Sequence, residues 1–179
     1  MKRSLFVAGV VVLVSGCSTM TPARYAASAD NNQALRKYEG RQVQLAQLAP
    51  PASYSANCRL MGPIQAADGE SIPEFVKKAF NDEFKFANIY SESGTSLHGN
   101  LNKIEFSSTS GLTGGWWELS ITLKAPNGKT LEQSSRTEFK SGFDAVTACN
   151  QTAQALGGAV QDLIKATVTD PTFSELLKP

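Results

Sequence analysis

Polar and apolar residues alternate through QVQLAQL at 42–48, and this period of two predicts a strand with Val43, Leu45 and Leu48 turned inward. Pro50 and Pro51 stop it, since proline cannot donate to a ladder, and an irregular connection containing Cys58 follows to Ser71. There the period changes. SIPE at 71–74 is a capping box, with Ser71 at the cap, Glu74 three residues later and Pro73 in the first turn. Behind it Phe75, Val76, Ala79, Phe80, Phe84 and Ala87 recur at helical spacing, which predicts a helix to residue 87. Glu83 alone breaks that stripe. Lys77, Lys78, Asp82 and Lys85 form its solvated face.

Residues 97–107 alternate loosely, and the inward phase changes between Leu101 and Ile104, predicting a bulge near Asn102 and Lys103. GLTGG at 111–115 breaks the chain. WWELSITL at 116–123 then alternates cleanly, with Trp117, Leu119, Ile121 and Leu123 on one face and Trp116 on the other. Asn127-Gly128 is a hairpin signal, and 130–139 is the returning strand with Thr130, Glu132, Ser134, Arg136 and Glu138 outside. The last long helix, 143–168, places Val146, Cys149, Ala153, Leu156, Val160, Leu163 and Thr167 on one stripe. Gly157 and Gly158 in its middle cost about 1 kcal/mol each relative to alanine, which predicts close packing against the sheet or a kink. Beyond Pro171, the residues Phe173, Leu176 and Leu177 predict one further turn packing back. The order is β-α-β-β-β-α. It predicts an α+β fold: a two-layer sandwich with a mostly antiparallel four-stranded sheet and two helices packed on one face.

The first residues obey neither period. Lys2 and Arg3 precede an apolar run at 5–14, within the roughly 7–15 residues of a secretory h-region and short of the about 20 that span a bilayer. The run ends in VSGC at 14–17, which resembles the lipobox of bacterial lipoproteins, with Val14 where leucine is usual. That resemblance implies cleavage before Cys17, acylation of Cys17, and, because Ser18 rather than aspartate follows, transfer to the outer membrane facing the periplasm. Cys17 is thus the attachment to a lipid bilayer; one acyl chain holds marginally, two or three hold durably. The implied division is a signal peptide at 1–16, a lipidated N-terminus and flexible tether at 17–40, and a single domain at 41–179.

Composition narrows the function. Loss of Lys2 and Arg3 moves the formal charge from +1 to about −1, so no basic surface for nucleic acid is implied. With 41% hydrophobic residues the chain can bury one sizeable core. The remaining cysteines, Cys58 and Cys149, are expected to pair as a structural disulfide in an oxidising compartment. Candidate chemistry is sparse. His98 is the only histidine, too few for a clustered metal site, and no nucleophile, phosphate-loop or dinucleotide motif accompanies it. Glu118, Glu132 and Glu138 could supply the two carboxylates of a glycan hydrolase, but their alternation puts all three on the solvated sheet face. The expectation is therefore no catalytic residue, no metal and no cofactor. One stretch stands out: SSTSGLTGGWW at 107–117, a small-residue loop leading into two tryptophans, with Leu112 and Trp116 as the candidate partner-binding loop.

The lipobox, the element order, LHGNL at 97–101, WELSITL at 117–123 and Asn127-Gly128-Lys129 together resemble small Gram-negative outer-membrane lipoproteins of the two-helix, four-stranded sandwich type. These include the YajG-type lipoproteins, the activators of penicillin-binding proteins and the lipopolysaccharide-assembly lipoprotein. The resemblance covers 41–177. It implies a lipid-anchored, non-enzymatic accessory module that contacts an envelope protein, with binding of an envelope glycolipid or peptidoglycan as the alternative and a carboxylate-dependent hydrolase as a remote one.

Overall fold

The computed structural model describes residues 20–178, so Cys17 and the leader at 1–16 lie outside the described residues. The chain forms α1 (Ala29–Leu35), β1 (Val43–Ala49), α2 (Ile72–Phe86), β2 (Thr95–Ser110), β3 (Gly114–Lys124), β4 (Thr130–Lys140), α3 (Ala145–Thr169) and α4 (Phe173–Leu176). The four strands make one sheet in the order β1-β2-β3-β4. β2, β3 and β4 are antiparallel neighbours, while β1 joins β2 in parallel because α2 carries the chain back across the sheet. The sheet is accordingly mixed, with one parallel pair at its edge.

Each element forms for a local reason. Ser71 Oγ accepts from the Glu74 N–H and the Glu74 side chain accepts from the Ser71 N–H, so the expected capping box closes both ways. Asp144 caps α3 through the Thr147 N–H at 2.9 Å. The expected bulge in β2 is present: Leu101 faces Ile121 and Lys103 faces Ser120, so Asn102 is the extra residue. That insertion lets Leu97, Leu101 and Ile104 all reach the core.

α2 lies over β1 and α3 over β3 and β4, both on the same face. Between the layers sit Val43, Leu45, Phe80, Phe84, Trp117, Leu119, Ile121, Leu156, Val160 and Leu163. The indole N–H of Trp117 donates to the Thr152 carbonyl at 2.9 Å, satisfying its one polar atom. Cys58 and Cys149 are disulfide-bonded and tie the connection between β1 and α2 to the first turns of α3. α4 returns Phe173 and Leu176 to the core, as the sequence predicts.

Three expectations are corrected. The tether foreseen at 17–40 is, from Met20 onward, docked: Thr21 reaches Asn150, the Ala26 carbonyl accepts from Gln161, Lys165 pairs with Asp30, and Tyr38 donates to the Val168 carbonyl. This segment runs the length of α3 and includes α1. It is held because Leu35 and Tyr38 bury apolar surface and Glu83 of α2 supplies a buried acceptor. Val146, placed on the inward stripe, is 48% exposed because the start of α3 is uncovered, with Phe143, Asp144 and Thr147 exposed beside it. Gly157 and Gly158 neither pack closely nor break the helix: α3 is continuous, and a Cβ at either would meet nothing within 4 Å.

Candidate functional site

Among the described residues no helix packs on the second face of the sheet, where strand alternation places mostly polar side chains. β3 presents Trp116, Glu118 and Thr122 there; β4 sets Glu138, Arg136 and Glu132 opposite them in register. Lys103 on β2 donates to Glu118 at 2.7 Å and lies 3.3 Å from Glu105, and Arg136 reaches Glu118 at 3.4 Å. The Lys103 hydrogen bond holds the Glu118 carboxyl below the ordinary carboxylate range, with Arg136 adding to it, and Lys103 is raised in turn by Glu118 and Glu105. A general acid for glycan cleavage needs the opposite shift. Glu132 and Glu138 are exposed on the same face.

Trp116 is the aromatic centre of this face. It is partly buried, and the Arg136 guanidinium lies over its ring at 4.1 Å from the centroid, a cation–π stack. An open cleft beside Trp116, ≈ 390 Å³, is lined by Tyr54, Asn102, Lys103, Glu105 and Phe106. Arg136 and Tyr54 are the residues that sequence reasoning missed. Arg136 carries a legible signal, since register pairs Glu138 with Trp116 and puts Arg136 one step along the same face; Tyr54 sits in irregular chain and has none.

The expected loop site is divided in two. Trp116 belongs to the sheet face, whereas Leu112 stands at the tip of the β2–β3 turn, 78% exposed, at the end of the sheet. His98 is exposed near the β1 edge with Gln47 Oε1 at 3.3 Å from its Nδ1. Among the described residues, no group of three or more His, Cys, Asp or Glu side chains is placed to hold a metal ion.

On the opposite layer Glu83 is fully buried between α2 and the docked N-terminal segment. Its Oε1 accepts from the Tyr25 hydroxyl at 2.6 Å, the Ser28 N–H at 2.8 Å and Asn31 Nδ2 at 3.1 Å. Burial, followed by the hydrogen bond and charge of Glu83, pushes the Tyr25 hydroxyl far above its ordinary range, so it remains a donor. This cluster explains the one polar member of the α2 stripe: it is a latch for residues 25–31.

No family model matches the chain, and no curated protein matches it in sequence. Among solved structures the chain is similar to a Xanthomonas campestris protein described by the family model DUF330, with 15% identity, a TM-score of 0.52, and coverage of 86% of this chain and 95% of that one. A minor lipoprotein of Acinetobacter baumannii aligns more loosely, with 13% identity, a TM-score of 0.41, and coverage of 75% and 92%. The first likeness establishes a shared fold. Neither likeness singles out the YajG-type or lipopolysaccharide-assembly families.

Proposed function

We propose that this chain is a lipid-anchored accessory module of the bacterial outer membrane, facing the periplasm and non-catalytic, which binds an envelope protein through the uncovered sheet face. The observation that carries the reading is the Trp116–Arg136 stack at the centre of that face. Tryptophan and arginine dominate binding hot spots because each brings a large, stiff contact area, and here the two hold one another in place before a partner arrives. Lys103, Glu105 and Glu118 surround the stack with charges of both signs, suited to a polar rim. The VSGC motif supports export and anchoring at Cys17, and Ser18 supports the outer membrane.

The test is a photoreactive residue at position 138, exposed and opposite Trp116 on the same sheet face, in the lipidated protein in cells, with adducts identified by mass spectrometry. One dominant envelope protein is the expected product, lost in a variant with Arg136→Ala. Adducts spread evenly over abundant envelope proteins would count against the reading. A second reading, an envelope glycan or glycolipid, draws on the cleft beside Trp116, where Tyr54, Asn102 and Glu105 could meet sugar hydroxyls. Tryptophan fluorescence titrated with peptidoglycan fragments and lipopolysaccharide separates the two, because only glycan occupancy of the cleft would change Trp116 emission in the absence of protein.

A further inference from the structure

The described chain begins beside the most apolar end of the molecule. There the segment from Cys58 to Gly62 forms a tight turn, closed by the Cys58 N–H donating to the Gly62 carbonyl at 2.9 Å, with Leu60 at its tip and 102% exposed. Arg59 fastens this turn to its neighbours: Nη1 donates to the Phe143 carbonyl at 3.1 Å, and Nε and Nη2 donate to Ser108 Oγ and carbonyl at 3.2 and 3.3 Å. Ser141 closes the set, its Oγ donating to the Ser108 carbonyl and its N–H to the Thr113 carbonyl, each at 2.7 Å. The disulfide adds α3. Together these bonds make one end from the 58–62 turn, the β2–β3 turn and the β4–α3 junction. It carries Leu60, Leu112 at 78% exposure, Phe143 at 80% and Val146 at 48%. Phe143 precedes the cap of α3, where an apolar residue ordinarily folds back as a staple, yet it points to solvent.

Six large apolar side chains are exposed among the described residues, and four of them are on this end. Of the other two, Tyr54 lines the cleft beside Trp116 and Phe86 ends α2 at the opposite pole. Scatter over a monomer surface is ordinary; a cluster of this kind marks a contact. The start of the docked segment lies at the same place. Thr21 donates to Asn150 Oδ1 at 3.0 Å, one turn of α3 beyond Val146, and Met20 shares a hollow with Met61, next to Leu60. Cys17 precedes Met20 by three residues, a reach of about 10 Å even at full extension.

We infer that this end of the domain sits on the lipid bilayer, with Leu60, Leu112, Phe143 and Val146 entering the interfacial layer beside the acylated Cys17. The inference rests on reading Cys17 as the lipid attachment. Because residues 21–38 are strapped along α3, the anchor holds the N-terminal pole of α3 close to the lipid, and the far pole stands about 37 Å away, the length of a 25-residue helix. Lipid is the occupant that fits both the short link and the chemistry. The backbone carbonyls at Cys58, Gly62, Ser108, Thr113 and Phe143 are already paired within the end, so its turns can approach a poorly hydrogen-bonding medium, while Asp144, exposed between Phe143 and Val146 and bonded to the Thr147 N–H, stays at the level of the lipid headgroups. The sheet face around Trp116 then stands to the side of the membrane contact, free for a partner.

The test places an environment-sensitive fluorescent amino acid at Leu112, Phe143 or Phe86 in the full chain, expressed in a Gram-negative host. The mature protein is purified and reconstituted into phosphatidylethanolamine and phosphatidylglycerol vesicles, and intact mass reports acylation of Cys17 independently. All three positions are exposed, so folding is preserved. The expected result is a blue shift at 112 and 143, with loss of iodide quenching and gain of quenching by a lipid-borne quencher, and no change at 86. An acylated protein in which 112 and 143 behave like 86 would overturn the inference while leaving the anchor standing. A protein with no acyl group on Cys17 would overturn both. Shielding of 112 and 143 in native membranes but not in pure lipid would assign this end to a protein and overturn the lipid contact.

Discussion

At the residue scale, identity and neighbours together decide what a side chain does. Trp116 and Trp117 are adjacent and chemically identical, but one caps a solvated sheet under Arg136 and the other is fully buried with its N–H on Thr152. Trp117→Ala is expected to cost about 3–5 kcal/mol through lost burial and a cavity, and Trp116→Ala no more than about 1 kcal/mol, the worth of an exposed cation–π contact. Urea unfolding of the two variants measures both. Glu83 makes the same point for a polar residue. Its removal in Glu83→Ala leaves three donors from Tyr25, Ser28 and Asn31 facing apolar surroundings, at a cost of about 2–4 kcal/mol, whereas Tyr25→Phe removes one bond and costs about 1 kcal/mol. Limited proteolysis reads the consequence locally: cleavage within residues 20–32 should quicken in the Glu83 variant before the rest of the fold is cut.

At the element scale, the glycines separate requirement from tolerance. A Cβ on Gly115 in β3 would stand 2.4 Å from the Phe139 ring and 2.8 Å from the Ser107 carbonyl, so that position accepts only glycine without rearrangement. Gly157 and Gly158 in α3 have open space around the missing Cβ. Each of Gly157→Ala and Gly158→Ala should therefore stabilise the protein by about 0.5–1 kcal/mol, through helix propensity and a less disordered unfolded chain. Thermal unfolding of the single and double alanine variants checks this, and a loss of stability would show that α3 needs its glycines for a contact outside the domain. The bulge at Asn102 is legible because Leu101 and Ile104 are out of phase in the sequence. The exposure of Val146 is not, since periodicity gives the direction of a side chain and not whether the facing layer extends that far.

At the scale of the whole molecule, long-range links set the shape. The disulfide joins residues 91 positions apart and pins the irregular chain between β1 and α2 to α3. Cys58→Ser with Cys149→Ser is expected to lose about 4 kcal/mol, from the chain-entropy cost of a loop of that length, and to free the 53–66 region for hydrogen exchange. The same pair secures the apolar end, so membrane contact at Leu60 should weaken in step while the Trp116 face is unaffected. The molecule thus separates two surfaces, a polar sheet face with an aromatic centre and an apolar end beside the start of the docked segment.

The sequence by itself determined the four strands, α2, α3 and the closing turn of α4, their inward faces apart from Val146, the capping box of α2, the bulge of β2 and the two-layer α+β class, because each follows from local periodicity and from residues within a few positions of one another, whereas α1 carries no such pattern. Only the tertiary structure decided where residues 20–38 lie, what Glu83 is for, and how the expected site around Leu112 and Trp116 divides. The physical reason is distance along the chain. The Tyr25–Glu83 bond joins residues 58 apart, Arg59 meets Phe143 across 84, and Thr21 meets Asn150 across 129. No repeat of two or 3.6 residues encodes such pairings; they arise when the layers close and buried donors must find acceptors.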